Sequence, residues 1–177
     1  MHLPTTLAIA TVWLVGQTAS SAAGGLPGSF RALEAVAICY SATSQSDRAA
    51  QDSLLDRGLA LAQAAVEADD TDAAGHFAVF CNLGRRLQLH PLGLGSLGAI
   101  HRVRRAIDRA LELAPGSPQV LTGKGIMLLQ LPRLLGGDPG EGARLLRQAL
   151  TVAPGFADAQ RALAEIDGTA RFAAAGP

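Results

Sequence analysis

The feature that most constrains this chain is that it repeats itself. The stretch RAIDRALELAPGSP at residues 105–118 recurs as RLLRQALTVAPGFA at residues 144–157. In that alignment Ala110 falls on Ala149, Leu111 on Leu150, Leu113 on Val152, and Ala114-Pro115-Gly116 on Ala153-Pro154-Gly155. A weaker copy, GLALAQAAVEADDTDA, occupies residues 58–73 and sets Ala64, Ala65 and Ala68 over Ala110, Leu111 and Ala114. One turn before the shared alanine stands a bulky apolar residue each time: Leu61, Ile107 and Leu146. A chain that reuses a segment in this way builds units that bury their apolar faces only by stacking on one another. The small residue marks where a neighbouring backbone comes close, and Pro-Gly ends the helix so that the next unit can stack. Beyond the two prolines, Gly125 and Ala164 supply a second small residue, expected at another helix–helix contact.

The rest of the pattern is helical. Ala/Leu-rich segments with 3.6-residue spacing dominate and alternation of period two is nearly absent, which predicts helices over 30–42, 47–68, 72–89, 97–114, 118–131, 139–153 and 157–166. Ser117-Pro118 reads as an N-cap followed by proline at the first helical position, where a missing N–H costs nothing. Asp138-Pro139-Gly140-Glu141 has the spacing of a capping box. Stops stand at Pro91, Pro115, Pro132 with Gly136-Gly137, and Pro154-Gly155. The class is therefore all-α.

Helix hairpins in register resemble the tetratricopeptide repeat, whose unit is about 34 residues of helix–turn–helix. The surplus length here fits two insertions, LHPLGLGSLG (89–98) and LPRLLGGD (131–138). The resemblance covers residues 30–166 and implies a right-handed superhelical stack of about three hairpins plus a C-terminal capping helix. Residues 24–167 would form that repeat domain, and the tail 168–177 (GTARFAAAGP), which has no amphipathic period, would be a flexible end. A narrower likeness lies in HFAVFCNLGRR (76–86) and QLPRLLGGDPGEGARLLRQALTVAPG (130–155). These stretches look like exported bacterial repeat proteins, among them the tetratricopeptide component associated with some TRAP-type transporters. That resemblance implies a periplasmic scaffold that cradles a partner or an apolar ligand.

The N-terminus agrees with export. Residues 1–23 read as a secretory signal peptide: the apolar run Leu7–Val15 is too short to span a bilayer, and small residues follow it. Ser20-Ser21-Ala22 and Ser21-Ala22-Ala23 both fit a cleavage site, placing the cut near Ala22 or Ala23 and the mature protein in the periplasm or outside the cell. No later run is long enough for an integral membrane segment, and none is expected in the mature chain. Fifteen Lys+Arg against fifteen Asp+Glu remove the bulk electrostatic argument for nucleic acid, and 4% aromatic residues give no base-stacking platform. Lys124 is the single lysine among those fifteen bases, the mark of a GC-rich genome rather than of anion binding.

Sites for chemistry are scarce. His76, Cys81, His90 and His101 could be assembled into a metal site, but no CxxC, HxxxH or HExxH pattern joins them. On one helix His76 and Cys81 diverge by roughly 140°. No nucleophile, paired acid and base, or nucleotide-binding motif occurs, so no cofactor and no enzymatic activity are expected. Cys39 and Cys81 lie on first helices of consecutive hairpins; a disulfide and a pair of buried thiols both fit their surroundings. The turn Pro132–Pro139 is read as structural, with glycine supplying a positive φ and Leu134-Leu135 plugging the space between hairpins.

Charge is uneven along the chain. Acidic residues crowd 47–72 and arginines crowd 85–109. Neighbouring helices that neutralise each other are the simpler reading; the alternative is an anion patch at His101, Arg102, Arg104 and Arg105. A concave surface lined by first helices would include Phe77, Phe80, Asn82 and Arg86, then Gln119, Thr122 and Gln130, then Asp158 and Arg161. The expected function is a non-enzymatic scaffold binding another protein or peptide segment there. The alternative is a transport accessory that holds an apolar small molecule between its helices.

Overall fold

The computed structural model describes residues 25–90 and 96–174. Those residues form seven α-helices, and no strand occurs among them. They are α1 (Phe30–Ala42), α2 (Arg48–Ala68), α3 (Ala73–Leu89), α4 (Ser96–Leu113), α5 (Pro118–Gln130), α6 (Pro139–Val152) and α7 (Ala157–Ala174), with a 3-10 turn at Arg133–Leu135. The read signal segment, 1–23, lies outside the described residues. No helix among the described residues is long and apolar enough to cross a membrane.

Polar caps set the helix starts. Side chains of Ser29, Asp47, Asp72, Ser117 and Asp138 each accept from a backbone N–H of the first turn they precede. Each satisfies a donor that has no partner inside its helix. The capping box at Asp138 is only half made. Its carboxylate accepts from Glu141 N at 3.0 Å, but the Glu141 carboxylate turns to Arg144, and Asp138 N donates to Leu128 O. The Arg144 guanidinium holds the Glu141 carboxyl below its ordinary pKa.

Helices pair as hairpins, α1 with α2, α3 with α4 and α5 with α6, and α7 packs on α6 and the edge of α5. α1 and α3 run side by side in the same direction: Ser29 N donates to Asp72 Oδ2 at 2.9 Å where both begin, and Cys39 is bonded to Cys81 further along. The repeated positions are core positions. Ile107, Ala110, Leu146 and Ala149 are all fully buried. In α2 the equivalent pair is Leu59 and Ala62 rather than Leu61 and Ala64, which are only half-buried. Without a Pro-Gly stop α2 runs on to Ala68, so aligning it by its end shifts the register by two residues.

Three further expectations change. Leu134 plugs nothing: it is 99% exposed, because the 3-10 turn faces it outward. Ala164 is exposed, whereas Gly125 does meet a neighbour, its backbone lying against Gly142 of α6. α7 continues past 166 to Ala174, so residues 168–174 are helix and not a loose tail. Gly168 alone costs about 1 kcal/mol against alanine, too little to stop a run of good helix formers with no proline. Residues 175–177 lie outside the described residues.

Candidate binding groove

Two junctions join the hairpins. The first, where α1 and α2 meet α3, is closed. Asn82 is fully buried there, and its Nδ2 donates to Ala35 O of α1 at 3.1 Å and to Ala78 O of its own helix at 2.9 Å. Its Oδ1 lies against Gly58 of α2, where a Cβ would collide with it. The Cys39–Cys81 disulfide, with Cα atoms 6.1 Å apart, ties α1 to α3 one helical step away. On the outer side the acidic α2 and the turn after it meet basic neighbours: Arg86 pairs with Asp56 of α2 at 2.6 Å, His90 with Asp52 of α2 at 2.8 Å, and Arg109 with Asp70 of the turn at 3.4 Å. Acidic and basic helices thus offset each other across these contacts.

The second junction is open. Between α3 and α5 lies a groove of about 1060 Å³, continued by the C-terminal part of α1 and by α7, with Ile100 and Val103 of α4 at its floor. The Phe77 and Phe80 rings, centroids 5.7 Å apart, rest on α5 at Gly123, where a Cβ would come within 2.8 Å of Phe80. Near the other end Gln88 Nε2 donates to Gln130 Oε1 at 3.1 Å, bridging α3 and α5. Between these props the wall of α5 presents Ile126, and on the N-terminal side of Gly123 it presents Gln119 and Thr122. Thr122 is 3% exposed, and neither its Oγ1 nor Gln119 Oε1 has a hydrogen-bond partner among the described residues. A buried hydroxyl without a partner costs about 1–3 kcal/mol, so these atoms are held against their preference.

The rim is charged. Asp158 and Arg161 of α7 pair with each other at 2.9 Å and line one side. Tyr40 and Thr43 of α1 and Arg85 of α3 line the other. Burial raises the pKa of the Tyr40 phenol above its ordinary 10.0; the Asp158 carboxylate raises it further, and the Arg85 guanidinium opposes both. Tyr40 is therefore within electrostatic reach of both α3 and α7.

Of the residues read as a concave surface, Phe77, Phe80, Gln119, Thr122, Gln130, Asp158 and Arg161 line the groove. Asn82 and Arg86 do not, and this corrects their placement. Asn82 points into the closed junction, and Arg86 reaches across to α2. Their spacing from Phe77 put them on α3 but could not say which side faces which neighbour. Tyr40, Arg85 and Gln88 were missed. The available signal was Arg85 beside Arg86, about 100° apart on the helix, so that only one of the two could turn to α2.

Of the candidate anion patch, Arg102 stands apart from Arg104. Arg104 Nη1 donates to Leu135 O at 2.9 Å and its guanidinium packs on Gly136, while His101, Arg102 and Arg105 are exposed. Arg102 stands roughly 160° around α4 from Arg104, on another side of the helix. His76 is buried, its Nε2 at 2.9 Å from Asp70 O, and is not a surface residue. Among the described residues no three His, Cys, Asp or Glu side chains gather as metal ligands. Compared with known proteins, the chain matches no protein-family model and no curated protein sequence.

Proposed function

We propose that this protein is a non-enzymatic, exported scaffold of the tetratricopeptide type that holds a segment of a partner protein in the groove between α3, α5 and α7. The observation that carries this reading is the groove's composition. Apolar walls at Phe77, Phe80 and Ile126 surround Thr122 and Gln119, whose side-chain oxygens have no partners among the described residues, and a charged rim stands at Arg85, Asp158 and Arg161. An apolar centre with a few polar groups inside a charged rim is the anatomy of a protein interface. The recurrence of 105–118 at 144–157, with its Ile/Leu–Ala pair buried in both copies, supports the repeat assignment and a right-handed superhelix. The apolar run at 7–15 and the small residues after it support export.

A second reading, a transport accessory holding an apolar small molecule, draws on the floor formed by Ile100 and Val103 and on a volume at the top of the range for ligand pockets. Native mass spectrometry of protein isolated gently from its source separates the two. A co-purifying polypeptide that is lost in Ile126→Arg, with the melting temperature kept, supports the scaffold. A mass increment of small-molecule size, removed by delipidation, favours the second reading. A bare polypeptide unchanged by Ile126→Arg counts against a tight occupant of either kind.

A further inference from the structure

We infer that the surface formed by the 3-10 turn and the first two turns of α4 docks on an anionic phospholipid surface. Leu134, at the apex of the turn, is 99% exposed, and Leu97 on α4 is 59% exposed. Arg104 joins the two segments: its guanidinium donates to Leu135 O at 2.9 Å and packs on Gly136, which turns with φ 83°. Leu97, His101 and Arg105 lie within about 100° of Arg104 around α4, so they share its side of the helix. Arg133 adjoins Leu134 on the turn and is exposed, as are His101 and Arg105.

Charge complementarity selects the occupant. Among the described residues neither Arg105 nor Arg133 pairs with a carboxylate, as Arg31, Arg48, Arg85, Arg102 and Arg147 also do not, and Arg133 stands directly beside the exposed Leu134. The nearest acids are already engaged. Asp108 pairs with Lys124 at 2.9 Å, and Asp138 caps α6. Arg104, whose guanidinium is on the turn's Leu135 carbonyl, and Arg105 and Arg133 thus carry three positive charges with no paired carboxylate among the described residues. A leucine standing alone at the tip of a turn is no patch for a protein partner, which buries roughly 800 Å² per side. Beside arginines it suits a lipid interface, where the apolar tip enters the acyl boundary and the guanidinium groups meet phosphates. The arginine–carbonyl contact fixes the turn in that attitude. The proposal is independent of the groove and of its occupant.

The test is co-sedimentation of the full chain with vesicles of phosphatidylcholine alone and of phosphatidylcholine mixed with phosphatidylglycerol. Binding is expected only to the mixed vesicles and falls as salt is raised. Arg105→Gln and Arg133→Gln each lower partitioning about fivefold, and Leu134→Ser lowers it about tenfold, all with unchanged thermal melts because these side chains are exposed. The apolar run at residues 7–15 is common to every variant, so the readout is the excess bound to the mixed vesicles over phosphatidylcholine alone, and an excess that survives Leu134→Ser and Arg105→Gln together overturns the proposal. Equal binding to both vesicle types, or binding to polyglutamate with none to vesicles, overturns it as well.

Discussion

The closed junction of α1 and α2 on α3 and the open junction between α3 and α5 are assembled from the same kind of helix, yet they solve opposite problems. At the closed one, three helices approach closely at alanine and glycine positions, with Leu55, Leu59 and the disulfide filling the space beside them. Ala32, Ala35, Ala62 and Ala78 are fully buried, and the one polar group admitted, Asn82, spends its amide on two backbone carbonyls. At the open one, two phenylalanine rings and a glutamine pair hold the helices apart. Small side chains let backbones touch, and large ones act as spacers. The polar atoms in the two gaps differ only in degree: Asn82 Nδ2 is satisfied twice while its Oδ1 has no partner among the described residues, and Thr122 Oγ1 has none at all.

That contrast can be broken from either side. The largest effect is expected from removing the disulfide. Cys39→Ala with Cys81→Ala releases a cross-link between residues separated by 42 positions and should cost about 2–4 kcal/mol in denaturant unfolding. A loss under about 1 kcal/mol would mean that helix packing alone closes the first junction. Next comes Asn82→Ala, which removes the side-chain hydrogen bond from α3 to the Ala35 carbonyl of α1 and leaves a cavity, at about 2–3 kcal/mol. At the open junction the sign reverses. Thr122→Val replaces an unpartnered buried hydroxyl with a methyl group and should stabilise the free protein by about 0.5–1 kcal/mol, measured by the same unfolding experiment. A destabilised Thr122→Val would show that the hydroxyl has a partner, and the comparison would fail there.

The smallest effect sharpens the geometry. Tyr40 is the single tyrosine of the chain, so phenolate absorbance reports it alone. Its titration midpoint should lie above 10.0, fall in Asp158→Asn and rise in Arg85→Gln. A raised folded-state pKa means that Tyr40 contributes stability at pH values below 10 and loses it as pH climbs through the folded value. No response to Asp158→Asn would place α7 farther from α1 than the groove requires.

Much of this architecture was legible beforehand, and what was not has a common cause. Caps and stops are local, so Ser117-Pro118, Asp138-Pro139 and the two Pro-Gly pairs located helix ends closely. The Ile107/Ala110 and Leu146/Ala149 pairs were legible because the repeat states them twice. The facing of a residue is not local. Asn82 and Phe80 sit two positions apart on α3, about 200° around it, and only the neighbours decide that one enters the closed junction and the other the groove. Leu134 shows the same limit, since an apolar residue in a turn reads as a plug until the turn's direction is known. Tyr40 was missed because it lies on α1, far in sequence from the α3 and α5 walls that it joins at the groove.

The disulfide also has a mechanical meaning. Force applied to the two ends of the chain passes from Cys39 to Cys81 through sulfur, so the chain between them, a sequence separation of 42 with all of α2 included, carries no tension. At roughly 3.5 Å per extended residue, about 140 Å of contour should be missing from the length released when the oxidised molecule is pulled straight. The same length should reappear once the bond is reduced.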